Sequence, residues 1–211
     1  MKPLAGIYLV IDPKQPWESL FQKLQMALEG GINIVQVWNH WPKHTTEDQK
    51  LEFIKSVKSL TDAYEVPVLM HDDWQLAQRA NMDGVHFDDP PEQLSMINLP
   101  YIGITVGNDL ERIQWAAANI VSYISFCAIF PSPSVATCDI VDQDKIKQAR
   151  EIIDCSIFLS GGLTHNNLDQ LRDLPFDGIA VISGILNAES PKKAVKDYIE
   201  KLEAIKKTQT Q

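Results

Sequence analysis

At 211 residues the chain is long enough for one full-sized hydrophobic core and short for two. Its net charge of -9 argues against nucleic acid or an anionic membrane as the main partner, because both need a cationic surface. No apolar run approaches the ~18 residues of a membrane span. The N-terminus lacks a signal core and cleavage pattern, and three cysteines, Cys127, Cys138 and Cys155, form no CxxC, which fits a reducing cytoplasm.

Short β-branched runs alternate with stretches of helical periodicity, the βαβα pattern of a parallel sheet. The first strand is predicted over Ile7 to Ile11 and ends in Asp12. Trp17 to Leu28 then places Leu20, Phe21, Leu24 and Leu28 on one helical face, closed by Gly30-Gly31. The second strand, Ile34 to Trp38, carries Gln36 and runs into Asn39-His40-Trp41. Thr46 and Gln49 have the spacing of a capping box ahead of a helix over Leu51 to Tyr64. Val66 to Met70 is the third strand and leads to His71-Asp72-Asp73, followed by a helix over Trp74 to Ala80. Gly84 to Phe87 is the fourth, with His86 inside it and Asp88-Asp89 after it. Pro90 and Pro91 leave the next connection only a turn or two. Tyr101 to Val106, holding Thr105, precedes a helix over Asp109 to Ala118. Tyr123 to Ile129 leads into Phe130-Pro131-Ser132-Pro133-Ser134 and a helix over Asp142 to Ile153. Ile157 to Ser160 and Gly178 to Ser183 complete eight strands, followed by helices over Asn166 to Leu171 and Pro191 to Ile205; the tail is expected to fray from about Lys206.

Eight strand-helix units in one domain spanning residues 1–211 predict a lean (β/α)8 TIM barrel. An open doubly wound sheet is the competitor. Strand count favours closure, and no GxGxxG turn follows the first strand. In a barrel the active face is the C-terminal end of the strands, and the loops after strands 7 and 8 are the usual phosphate site. Ser160-Gly161-Gly162 and Ile182-Ser183-Gly184 stand there, and glycines let backbone N–H groups approach an anion.

In order and spacing, several segments resemble the thiamine phosphate synthase family, which includes the thiazole tautomerases. They are Ile7-Tyr8-Leu9-Val10-Ile11-Asp12, Val35-Gln36, Asp72-Asp73, Asp83-Gly84-Val85-His86, Ile102-Gly103-Ile104-Thr105, Ile129 to Ser134, Ser160-Gly161-Gly162-Leu163 and Asp177 to Leu186. The resemblance covers nearly the whole chain. It implies the barrel, a phosphorylated heterocyclic small molecule as partner, and a magnesium-assisted joining of a pyrimidine methyl diphosphate to a thiazole phosphate. It also implies that Gln36, Thr105 and Ser183 contact the pyrimidine and that Ser132 and Ser134 stand at two ligand-contacting Thr positions. Gly161, Gly162, Ile182 and Ser183 would form the phosphate cup, and Asp72 would hold magnesium.

The departures from the family pattern concentrate where the diphosphate would sit. Trp38 and His40 replace an Arg and a Lys, His71 replaces an Asn, and Val135 replaces a Lys. The second magnesium Asp falls at Pro91, with Asp88 and Asp89 nearby as candidate ligands. At ~1.5 to 3 kcal/mol per charge-assisted hydrogen bond, four lost contacts remove roughly 6 to 12 kcal/mol before non-additivity. Trp38 then reads as a flat wall for a ring, and His71 and His40 as candidate acid-base catalysts. The histidine that the tautomerase branch uses on strand 6 corresponds to Ala128. Three functions follow as alternatives: a synthase with a rebuilt diphosphate site, a tautomerase-like isomerase, and a non-catalytic binder of thiamine phosphate or a phosphorylated heterocycle. A homo-oligomer is compatible with each.

Overall fold

Eight parallel strands pair in sequence order, and the eighth returns to the first to close a barrel. The structure, a computed structural model, describes residues 3–131 and 139–209. The strands are β1 (Gly6–Ile11), β2 (Ile34–Val37), β3 (Val68–His71), β4 (Gly84–Phe87), β5 (Tyr101–Thr105), β6 (Tyr123–Phe126), β7 (Ser156–Ser160) and β8 (Gly178–Val181). Around them lie α1 (Trp17–Gly30), α2 (Glu47–Thr61), α3 (Trp74–Arg79), α4 (Leu110–Ala118), α5 (Gln143–Ile152), the single turn α6 (Ser183–Leu186) and α7 (Pro191–Gln209). Among the described residues no helix is long and apolar enough to cross a membrane.

Alternation along each strand makes two cores. Ile7, Leu9 and Ile11 of β1, Val35 and Val37 of β2, and Ile157 and Leu159 of β7 face outward. There they join Leu20, Leu24, Phe53 and Ile54 of the helices in one large buried cluster. The alternate residues Tyr8, Ile34, Leu69, Tyr123 and Phe158 form a smaller cluster inside the barrel. Two of these rings fit because glycine faces them. A Cβ on Gly103 would stand 2.0 Å from the Tyr123 ring, and one on Gly178 would stand 2.3 Å from that of Phe158.

Four side chains at the N-terminal rim repeat one device. Asn33, just before β2, accepts a hydrogen bond from the N–H of Ile7 at 2.8 Å. Asp83, before β4, does the same for Val68 at 2.8 Å, Ser122 before β6 for Ile102 at 3.1 Å, and Asp177 before β8 for Ile157 at 2.8 Å. In each case the residue's own N–H donates back to the carbonyl of the same partner. Each clasp satisfies a buried donor at the start of an odd strand and ties it to the following even strand. The register of the barrel is thus set four times at its base, and the polar mouth opens at the other end.

Several boundaries differ from those the sequence predicts. The third strand starts at Val68, because Pro67 has no N–H for the ladder. The sixth stops at Phe126 and not Ile129: Ile129 and Phe130 donate to the carbonyls of Ser160 and Gly161, and Ala128 exchanges bonds with Asp139 and Val141. The eighth stops at Val181, since Ser183 to Leu186 turn into α6. The Thr46–Gln49 capping box is present with Thr46 as N-cap, so α2 starts at Glu47 and not at Leu51. The helix expected over Asn166 to Leu171 is a 3-10 turn, Leu168–Leu171. Asn167 binds the Thr164 N–H and the Gly162 carbonyl, which holds the preceding residues in a loop. The last helix runs to Gln209, past the Lys206 at which fraying is expected.

Candidate functional site

The C-terminal mouth of the barrel holds a cavity of about 510 Å³. Its walls gather the polar strand ends. Gln36 comes from β2, His71 from β3, His86 from β4, Thr105 from β5, Ser125 from β6 and Ser160 from β7, with Tyr8 and Val10 of β1 beneath. The side nearest β7 and β8 is made by Gly161, Gly162, Ile182 and Ser183. Gly161 and Gly162 have φ of 84° and 69°, and a Cβ on Gly162 would meet the Phe130 carbonyl oxygen at 2.2 Å, so this loop requires glycine. Among the described residues the N–H groups of Gly162, Leu163, Ser183 and Gly184 have no protein acceptor. Backbone donors therefore collect on one side of the cavity.

The floor is a chain of hydrogen bonds. Tyr8 Oη donates to Gln36 Oε1 at 2.6 Å and shares a bond with Tyr123 Oη at 2.8 Å. Tyr123 Oη lies 2.9 Å from His86 Nδ1, and His86 Nε2 lies 2.9 Å from Thr105 Oγ1. Burial, and then the charge of neighbouring His71, push the His86 pKa down from 6.5 to about 4. His86 is therefore neutral near pH 7. Burial also raises the phenol pKa values of Tyr8 and Tyr123, so both hydroxyls keep their protons.

His71 has a different setting. Its Nε2 lies 3.1 Å from Asp88 Oδ2 and 3.5 Å from Asp72 Oδ2. Its Nδ1 is buried with no hydrogen-bond partner among the described residues. Burial alone lowers its pKa, but the hydrogen bond and charge of Asp88, with the charge of Asp72, outweigh that and raise it above 6.5. The same contact lowers the carboxyl pKa of Asp88. Asp72 adopts a φ of 59°, and its Oδ1 accepts the Asp88 N–H at 3.1 Å. His71, Asp72 and Asp88 bring one ligand atom each to within 4.8 Å of one another, a set with the spacing of a divalent-cation site.

Other predicted site residues lie elsewhere. His40 is off the cavity wall: its Nδ1 is 3.0 Å from Asp12 Oδ2, and its Nε2 contacts Lys14 Nζ. Trp38 does line the cavity, and its ring leans on His40 with centroids 4.5 Å apart. Asp89 is outside the His71–Asp72–Asp88 group and pairs with Arg112, whose Nη1 also donates to the Asp88 carbonyl at 2.6 Å. Asp73 caps α3 through the Leu76 N–H. Trp41 packs edge-on against Phe53 in the outer core. Ser132 and Ser134 lie outside the described residues, as does Val135. Sequence reasoning passes over Tyr8 and Ser125 and takes Ser160 only as the start of the glycine loop. Strand alternation is the signal that could have found them, since each is a polar residue at an inward strand position.

One omission decides the electrostatics. Among the described residues no Lys or Arg lines the cavity, and residues 132–138, Ser-Pro-Ser-Val-Ala-Thr-Cys, contain none. The charged groups at the wall are Asp88 and, when protonated, His71.

A family model described as thiamine monophosphate synthase matches residues 7–185. The chain is 31% identical to a thiamine-phosphate synthase of Streptococcus suis, over 97% of this chain and 92% of that protein. It is 27% identical to one from Methanobrevibacter smithii, over 94% and 96% of the two chains. Among solved structures, a thiamine phosphate pyrophosphorylase from Pyrococcus furiosus superposes with a TM-score of 0.79. It shares 23% identity and covers 95% of this chain and 96% of its own, a likeness that speaks to the fold.

Proposed function

Because the chain belongs to the thiamine monophosphate synthase family, we propose that its cavity binds a heterocycle carrying a single phosphate. We further propose that the family's joining of a pyrimidine methyl diphosphate to a thiazole phosphate is strongly impaired. The observation that carries this reading is the cavity's division. Backbone donors of the Gly161-Gly162 and Ile182-Ser183 loops collect on one side, and no Lys or Arg lines any wall among the described residues. A monophosphate needs a few well-placed N–H groups. A departing diphosphate needs cations aimed at the charge that develops on it. Trp38 supplies a ring face where the family pattern has a guanidinium, which suits stacking and not leaving-group stabilisation.

Magnesium would have to be held by His71, Asp72 and Asp88. Magnesium prefers an all-oxygen shell, and here one position is an imidazole nitrogen already paired with Asp88. The residues fit a magnesium diphosphate poorly.

The Asp88–His71 pair favours a second reading, proton transfer on the bound heterocycle. A carboxylate on Nε2 orients the ring and its charge raises the imidazole pKa from 6.5, the ring lines the cavity, and Nδ1 is left without a protein partner among the described residues. His71 would then take a proton from one ring position and return it to another.

A coupled assay with magnesium, pyrimidine methyl diphosphate and thiazole phosphate tests the first reading. Pyrophosphate release at least ~100-fold slower than from a relative that keeps the basic residues is expected, about 2.7 kcal/mol of lost transition-state stabilisation. A comparable rate would contradict it. For the second reading, His71→Gln should abolish isomerisation of a thiazole phosphate tautomer, with the phosphate still bound.

A further inference from the structure

The four hydrogen bonds at the cavity floor are connected end to end, and this restricts where their protons can be. Each tyrosine hydroxyl has one proton to donate, and a neutral imidazole has one N–H and one acceptor nitrogen. In the first fully bonded arrangement Thr105 donates to His86 Nε2 and His86 Nδ1–H donates to Tyr123. Tyr123 then donates to Tyr8, and Tyr8 to Gln36 Oε1. The second arrangement reverses every bond. Gln36 turns its NH₂ toward Tyr8, Tyr8 donates to Tyr123, Tyr123 to His86 Nδ1, and His86 Nε2–H to Thr105. Any mixture leaves one contact with two protons facing each other or with two lone pairs facing each other and no proton between them. Tyr8, Tyr123, His86 and Gln36 are each at most 6% exposed, so water does not relieve such a defect cheaply.

We propose that Thr105, His86, Tyr123, Tyr8 and Gln36 act as one two-state wire, held in the first state in the free protein. In this proposal Tyr8 and Tyr123 are positioning residues that fix what Gln36 and Thr105 show to a ligand. The amide oxygen of Gln36 is engaged by Tyr8, while Nε2 has no protein partner among the described residues and Gln36 lines the cavity. In this state Gln36 offers a donor and the Thr105 oxygen offers lone pairs. The site therefore selects a heterocycle that accepts at Gln36 and donates at Thr105. A ligand with the opposite pattern must reverse all four bonds to bind. The ends are on opposite strands, β2 and β5, so one edge of the ligand is read against the other through the barrel interior.

This inference rests on the cavity being the ligand site, but its first test does not. ¹⁵N NMR of the ligand-free protein reports which His86 nitrogen carries the proton, and the Nδ1–H form is expected. Tyr8→Phe does not touch His86. It deprives Tyr123 of its acceptor, so the Tyr123 proton turns to His86 Nδ1 and the ring converts to the Nε2–H form. Gln36→Leu should cause the same conversion from further away, and Gln36→Glu, whose ionised carboxylate only accepts, should keep Nδ1–H at a pH where that carboxyl is ionised. If Tyr8→Phe folds poorly, the Gln36 pair gives the same answer. His86 in the Nε2–H form in the unmodified protein, or unmoved by both Tyr8→Phe and Gln36→Leu, would overturn the wire. For selection, 4-aminopyrimidine and pyrimidin-4-one exchange the donor and acceptor roles. The unmodified protein should prefer the amino compound by about tenfold, roughly the value of one buried hydrogen bond. Tyr8→Phe should cut that preference to under about threefold. Equal affinity of the unmodified protein for both compounds would overturn the selection claim even with the His86 conversion intact.

Discussion

His86 and His71 are neighbours across β3 and β4, with ring centroids 6.3 Å apart, yet their surroundings push their pKa values in opposite directions. Between pH 6.5 and about 4 the unfolded chain protonates this histidine while the folded chain does not, so the unfolded state binds more protons there. Stability to urea should therefore fall as pH drops through that window, and His86→Gln should flatten the slope. His71 has the reverse sign. Its raised pKa contributes stability that is complete below 6.5 and is lost as pH rises through its folded value. Asp88, lowered, contributes stability that is lost as pH falls through its own. Denaturation midpoints measured from pH 4 to 9 check the two histidines, and extending the series below 3.8 checks Asp88. A second residue-level prediction concerns the rebuilt half of the mouth. Trp38→Arg combined with Val135→Lys, which restores two of the three basic residues implied by the family pattern, should raise synthase turnover at least ~10-fold in the coupled assay. Gln36 and Thr105 were singled out through the family resemblance and His71 as a polar strand end, and all three line the cavity. His40 ends no strand, and its pairing with Asp12 and Lys14 depends on how a loop folds back, which no local pattern records.

At the scale of elements, the four rim clasps explain how short strands hold their register. Asp83→Ala or Asp177→Ala leaves a buried strand N–H without its acceptor and should cost about 1–3 kcal/mol each in urea unfolding. Each change also removes an ion pair, with Lys58 at 3.3 Å for Asp83 and with Arg150 at 2.6 Å for Asp177, and the shorter contact should make Asp177→Ala the more damaging of the two. The phosphate-side loop is the other element under tight constraint. Gly162→Ala would force a side chain into positive φ and against the Phe130 carbonyl, a strain of at least about 1–2 kcal/mol. It should abolish phosphate binding in a titration before it unfolds the barrel. Element types were largely readable from alternation and capping, as the Thr46–Gln49 box before α2 illustrates. Ends that depend on distant partners were not, such as β6, whose continuation pairs with the loops at Ser160 and Asp139.

For the whole molecule, barrel closure turns scattered residues into a site. Gln36 and Thr105 are 69 positions apart (105 − 36), yet they meet through Tyr8, Tyr123 and His86 because β1 and β6 present their inward rings at the same depth. The sequence revealed the eight units and the glycine cup. The wire was hidden because two of its four bonds, Tyr8–Tyr123 and Tyr123–His86, join inward positions of strands that are not neighbours in the barrel. On the proposed reading, this mouth binds a monophosphate at the glycine loops and lacks the cationic half of the family site. Isothermal titration with thiazole phosphate, and separately with pyrimidine methyl diphosphate plus magnesium, tests it most directly. Thiazole phosphate should bind in the micromolar range, about 8 kcal/mol, and the magnesium diphosphate at least ~10-fold more weakly. Magnesium-dependent diphosphate binding as tight as that of thiazole phosphate would contradict the account.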